Sequence, residues 1–265
     1  KSNASPDQKA RVTWPILSPD RMSRRAEHSK TQTLKLCLVI ACGLLVTLQG
    51  PLLAQDEVIE PNEPRIEEES NEADLALNAF KIVKGVTGKL FAAEPLFANP
   101  VAFYVADDGR VFVCETFRQG IGVVDNRDFD DRWVDADLAA QTVEDRRTYH
   151  LEQLPPERIK QFMAEDDQIR VLLDTDSDGV ADESHVFAKG FNDLVDGTGA
   201  GVLEYRGNVY YTCIPSLYVM HDEDGDHQAD DRQVLQSGYG IRVAFRGHDL
   251  HGLVIGPDGR LYFSI

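Results

Sequence analysis

The sequence predicts an all-β fold assembled from a repeated four-strand unit, and three observations carry that prediction. Ala181–Phe191 lies over Ala229–Tyr239 without a gap at an offset of 48, and Asp174, Asp176 and Asp178 fall on Asp222, Asp224 and Asp226. A second element repeats at similar spacing: Gly207-Asn208-Val209-Tyr210-Tyr211 resembles Gly259-Arg260-Leu261-Tyr262-Phe263 at 52, and Gly109-Arg110-Val111-Phe112-Val113 lies 98 before Gly207. Each unit holds short β-branched and aromatic runs separated by Gly and Asp turns, which fits a propeller blade better than a helical solenoid. The expected architecture is a β-propeller of the six-bladed type, with a helical insertion and a disordered N-terminal segment. A closed ring of six such blades needs about three hundred residues. Only 184 follow Lys81, so the chain is expected to carry the N-terminal blades alone.

Taken in order, residues 1–54 read as an N-terminal extension and signal peptide. Arg24, Arg25, Lys30 and Lys35 precede an uncharged run from Leu36 to Leu48, which is short for a membrane span and is followed by Leu52-Leu53-Ala54. Export to the periplasm or cell surface is the expectation. Val39-Ile40-Ala41-Cys42 also resembles a lipobox, so lipidation at Cys42 and an uncleaved anchor remain alternatives. Residues 55–81 read as an acidic linker, with nine carboxylates and one Arg between Asp56 and Asp74. The net charge of −18 would repel a phosphate backbone, which excludes nucleic acid as a partner. Membrane contact is expected only through the signal or anchor.

The propeller region, 82–265, has strands expected at Val101–Val105, Arg110–Cys114, Ile169–Leu173, Val202–Tyr205, Asn208–Thr212, Leu217–His221, Leu253–Ile255 and Arg260–Phe263. Asp108-Gly109, Arg206-Gly207 and Asp258-Gly259 supply hairpin turns that tolerate positive φ. Asp125–Asp167 breaks the pattern, being polar with helix formers after Pro155-Pro156, and reads as a helical insertion. Cys114 and Cys213 sit in strand-like runs, where a disulfide and two buried thiols are equally compatible with the sequence. The chain has no C-x-x-C-H, so it attaches no c-type haem.

Two motifs carry chemistry. Asp174, Asp176, Asp178, the Val180 carbonyl and Asp182, with Gly179 at the sharp turn, follow the ligand order of a calcium loop, although His185 stands where the closing Glu belongs. Asp222, Asp224, Asp226 and Asp230 repeat the pattern with the Gly displaced to Gly225. Two calcium sites of unequal affinity are expected, the first being tighter for Gly179. Zinc is disfavoured because neither loop offers Cys or closely spaced His. The second motif is Arg242–Gly252, dense in titratable groups, in which His248 is the candidate catalytic base and His251 its neighbour. Arg242 and Arg246 are candidates for holding an anionic cofactor oxygen, and Glu115 either faces the channel or is a buried structural carboxylate.

His248-x-x-x-Gly252-Leu253-Val254-Ile255-Gly256-Pro257-Asp258-Gly259-Arg260-Leu261-Tyr262 resembles the segment of soluble pyrroloquinoline-quinone glucose, aldose and sorbosone dehydrogenases that carries their catalytic histidine. Asp108–Thr116 resembles their first-blade strand. Here Gly252 replaces the family's usual basic residue. With the export signal, the Asp-rich loops and Gly240–Phe245, the chain is similar to the planctomycete membrane-bound dehydrogenase-like, or PVC-type haem-binding, proteins. That resemblance implies an exported quinoprotein-type oxidoreductase acting on a sugar or other alcohol, with pyrroloquinoline quinone and calcium as cofactors. It also implies a cytochrome domain downstream or in a partner. The family's quinone-binding Arg and cofactor-side calcium ligands would lie beyond Ile265. The rival expectation is a non-catalytic, calcium-stabilised propeller that binds glycans or protein partners.

Overall fold

Apolar runs joined by tight Gly turns pair with their neighbours in sequence, because a two-residue turn leaves the next strand no other edge to reach. The computed structural model describes residues 60–242 and 249–265. In it β1 (Pro100–Val105), β2 (Val111–Glu115), β3 (Asp167–Leu173) and β4 (Glu183–Phe191) form an antiparallel sheet in chain order. A second sheet repeats that order with β5 (Gly199–Tyr205), β6 (Asn208–Cys213), β7 (Ser216–His221) and β8 (Asp231–Ser237). A hairpin of β9 (His251–Ile255) and β10 (Leu261–Ser264) follows. The fold is mostly β, with 32% of the described residues in strands and 19% in helices. Among the described residues the sheets stay open. The repeat at 48 is thus structural, placing β8 on β4.

The structure adds two strands and decides between the two alternatives for the cysteines. β4 and β8 were not expected from their own composition, because their residues are half exposed and mix polar with apolar side chains. They form because the inner strands offer a free edge. Cys114 and Cys213 are free buried thiols, one in each sheet, and not a disulfide. The main core lies between the sheets, where Phe112, Cys114, Ile169, Val171 and Phe187 meet Val202, Tyr211, Cys213 and Met220.

The polar insertion between β2 and β3 folds into three helices with a core of their own. In chain order, α1 (Glu72–Ala79) precedes them in the acidic segment and buries no residue, while α2 (Asp131–Ala139), α3 (Val143–Gln153) and α4 (Pro156–Phe162) form the cap. Asp130 caps α2, Thr142 and Asp145 form a capping box on α3, and Pro156 starts α4, so each start satisfies or omits amides that a helix leaves unpaired. Trp133, Tyr149, Leu154 and Phe162 then bury their side chains together with Leu194 from the β4–β5 connection. The signal, lipobox and first linker residues lie outside the described residues. Among the described residues no helix is long and apolar enough to cross a membrane.

Candidate functional site

Register separates the two motifs. Pro100 opposes Glu115, Glu115 opposes Gln168, and Asp167 opposes Phe191, so the start of β1, the end of β2, the start of β3 and the end of β4 share one end of the first sheet. The helical cap sits at that end. The Asp174–Asp182 loop joins β3 to β4 at the other, and the Asp222–Asp230 loop joins β7 to β8 in the same way. Asp167 Oδ2 accepts from Gly199 N at 3.0 Å, which aligns the cap end of the first sheet with the start of β5.

At the loop end, carboxylates gather because they cap the turn's own amides. Asp174 accepts from Asp178 N at 3.0 Å and Gly179 N at 2.8 Å, and Asp182 accepts from Thr175 N at 3.2 Å. In the second loop Asp222 accepts from Gly225 N at 2.7 Å and His227 N at 3.1 Å, and Asp230 from Glu223 N at 2.6 Å. Asp174, Asp176 and Asp182 bring ligand oxygens within 4.8 Å of one another, as do Asp222, Asp224 and Asp226. Each gathered set therefore holds three of the expected carboxylates. Asp178 accepts instead from Val180 N at 2.8 Å, with Lys89 donating to its carbonyl and lying 3.6 Å from its carboxylate.

The second loop's glycine is not out of place. Both loops need left-handed backbone at the same two positions: Ser177 (φ 62°) and Gly179 (φ 86°) in the first, Gly225 (φ 81°) and His227 (φ 68°) in the second. Each supplies Gly at one position and a strained residue at the other. Gly179 thus gives the first loop no advantage, and Lys89 adds a positive charge there that the sequence did not foretell. An all-oxygen donor set of this kind fits a hard cation such as calcium.

The cap end holds a buried polar layer absent from the sequence reading. Arg118, fully buried, donates to the carbonyls of Asp196 (3.0 Å), Gly197 (3.2 Å), Phe162 (3.3 Å) and Asp193 (2.9 Å), joining cap to sheets. Asp167 accepts from Thr116 Oγ1 at 2.9 Å and Phe117 N at 3.0 Å. Burial pushes the Asp166 and Asp167 carboxyls up, while the amides bonded to them pull back. Asp196 is pushed up to about 6 by burial, opposed by the Arg118 charge. His150 lies flat on Trp133, 4.7 Å between ring centres, and is pushed down to about 3 by burial and the Arg146 charge, a Leu194 backbone contact opposing both. The available signal was the pair Asp166-Asp167 placed just before an apolar strand, where an acid at a strand start can reach the next loop.

Glu115 is fully buried, accepting from Ala98 N at 2.7 Å, Gln168 Nε2 at 2.7 Å and Arg170 Nε at 2.8 Å, so it is structural. Arg242 is exposed. Arg246 and His248 lie outside the described residues, but both flanks of their segment are held at the cap end. Arg146 of α3 donates to Gly240 O at 2.9 Å, and the His251 backbone lies so close to Gly201 of β5 that a Cβ there would stand 3.4 Å from it. A family model described as a domain of unknown function (DUF7133) matches residues 72–265. No curated protein and no solved structure matches the chain.

Proposed function

The chain belongs to the DUF7133 family, a domain of unknown function, and we propose that its sheets are successive propeller blades of an exported quinoprotein-type oxidoreductase acting on a sugar or other alcohol. The observation that carries this reading is the anchoring of residues 240 and 251 at the capped end. The intervening segment holds His248, which takes the proton of the substrate hydroxyl as a general base. Pyrroloquinoline quinone, when bound, would supply the two-electron acceptor for the hydride of the alcohol carbon, and a cytochrome domain downstream or in a partner would be the onward acceptor. Arg242, exposed beside the anchored Gly240, is open to an anionic cofactor oxygen, and Arg246 on the same segment is the second such cation. The test is dye reduction by quinone-reconstituted protein over a panel of sugars and alcohols. His248→Ala should lower the rate by about 10²–10⁴, the usual contribution of a general base. An unchanged rate removes His248 from the mechanism.

A second reading, a calcium-stabilised scaffold that binds glycans or protein partners, draws support from the two three-carboxylate clusters. Calcium would then add to stability and take no part in redox chemistry. It makes no demand on His248, so a chain with a calcium-dependent melt and no oxidation of any alcohol favours it.

A further inference from the structure

Residues 89–93 reproduce, outside any sheet, the part that β4 plays between the two sheets. Leu90-Phe91-Ala92 matches Val186-Phe187-Ala188 of β4. Phe187 O accepts from Ala229 N at 2.8 Å; Phe91 O accepts from Ala181 N, the residue 48 earlier, at 2.7 Å. Arg232 donates to the Lys189 and Gly190 carbonyls, and Ser184, again 48 earlier, donates to Leu96 O at 2.6 Å. Packing repeats as well. Phe187 and Ala188 cluster with Val209, Met220 and Ala229, while Phe91 and Ala92 cluster with Val111, Leu172 and Ala181.

The difference lies in what is missing beside the segment. Val186 and Ala188 of β4 pair with Arg170 and Ile169 of β3, whereas among the described residues no strand pairs with Leu90 or Ala92. Alternation along a strand sends the backbone groups of Leu90 and Ala92 away from the Ala181 contact, along a free edge. The inner strands differ in the same sense. Ala200 and Val202 of β5 are buried. Val101, Phe103 and Val105 of β1 are 44%, 69% and 55% exposed, although Phe103 and Val105 oppose Val113 and Val111 on one face. On this face of the first sheet residues 91–97 thus cover Val111 and Val113 of β2 and Leu172 of β3, and β1 inside them is left bare.

We propose that residues 89–93 are the outermost strand of a closing sheet. Its three inner strands, a further copy of the repeat in the same polypeptide, cover Val101, Phe103 and Val105 and pair with Leu90 and Ala92. The same polypeptide is the source because the equivalent contact, β4 against Ala229, joins successive repeats of one chain. The proposal rests on the propeller reading and adds where the ring closes.

Amide hydrogen exchange at Leu90 and Ala92, together with carbene footprinting of Phe103, tests it in the 265-residue chain and in the complete gene product. Both amides should exchange freely in the former and be protected by about a hundredfold or more in the latter, with Phe103 shielded. Phe103 shielded while the amides stay fast means that the ring closes without this strand, which overturns the assignment and leaves the propeller standing. Phe103 exposed and fast amides in the complete product overturn both. Protection that appears in the 265-residue chain with rising concentration and a dimer mass makes a second copy the occupant and overturns the proposal.

Discussion

Two buried residues under the cap respond to acid in opposite senses. Asp196 titrates at about 6 in the folded chain, against about 3.9 when free. The folded state therefore holds that proton more tightly. Its stabilisation is complete below about pH 4 and is lost as pH rises through 6, where an ionised carboxylate must stay buried. The swing is about 3 kcal/mol. His150 is depressed to about 3 from an ordinary 6.5, so its contribution is present above pH 6.5 and is lost as pH falls toward 3. Comparing each variant with wild type cancels everything else that titrates. In denaturant unfolding, the stability of Asp196→Asn relative to wild type should rise by up to about 3 kcal/mol between pH 4 and pH 8. A constant difference means that Arg118 and Arg146 offset the burial of the charge in full. His150→Phe, which keeps the stack on Trp133, should gain on wild type as pH falls from 7 to 4.

At the scale of the element, the acidic loops were the most legible part of the sequence and also the part most easily misread. Spacing alone grouped four carboxylates in each loop, and the structure sets each group on the turn that follows an expected strand. It could not reveal that left-handed backbone is needed twice per loop, because only one of the two positions carries glycine. Ser177→Gly should therefore stabilise the chain by about 1 kcal/mol, and Gly179→Ala should cost about as much, read as shifts in melting temperature. His227→Gly should gain less, since it also loses the ring contact with His185 at 5.1 Å. Chelation should lower the melting temperature, by an amount corresponding to about 2.7 kcal/mol when calcium had stood a hundredfold above its dissociation constant. Lys89→Met should enlarge the calcium response by removing the ammonium from Asp178. Identical melts in chelator and in millimolar calcium would make both loops solvated turns. β4 and β8 escaped notice for a related reason: an edge strand is specified by the neighbour whose edge it covers, and its own half-exposed residues carry little of that signal.

Across the whole molecule, the cap network was the least legible feature, because burial of charge leaves no periodic trace. Arg118 reads in sequence as one more surface cation, yet its guanidinium gathers carbonyls from α4 and from the β4–β5 connection at the point where β2 leaves the first sheet. The cap has its own core around Trp133 and meets the strand connections through Arg118, Arg146, the Arg147–Asp193 pair, the Asn192 bond to Met163 O and Leu194 packing, with Arg118 making four of those hydrogen bonds. Removing the guanidinium takes the arginine donor from the Asp196 and Phe162 carbonyls, while Asp193 O keeps Asp196 N and Gly197 O keeps Cys213 Sγ, a loss of about 2–5 kcal/mol for two buried acceptors. Arg118→Met keeps much of the apolar stem and isolates that effect. In a Trp14→Phe background, which leaves Trp133 as the reporter, wild-type fluorescence and far-ultraviolet circular dichroism should melt together, since cap and sheets are tied. In Arg118→Met the fluorescence transition should move to lower temperature and separate from the β signal. If both signals shift by the same amount, the cap is held to the sheets by Leu194 and Ile241 packing rather than by the arginine.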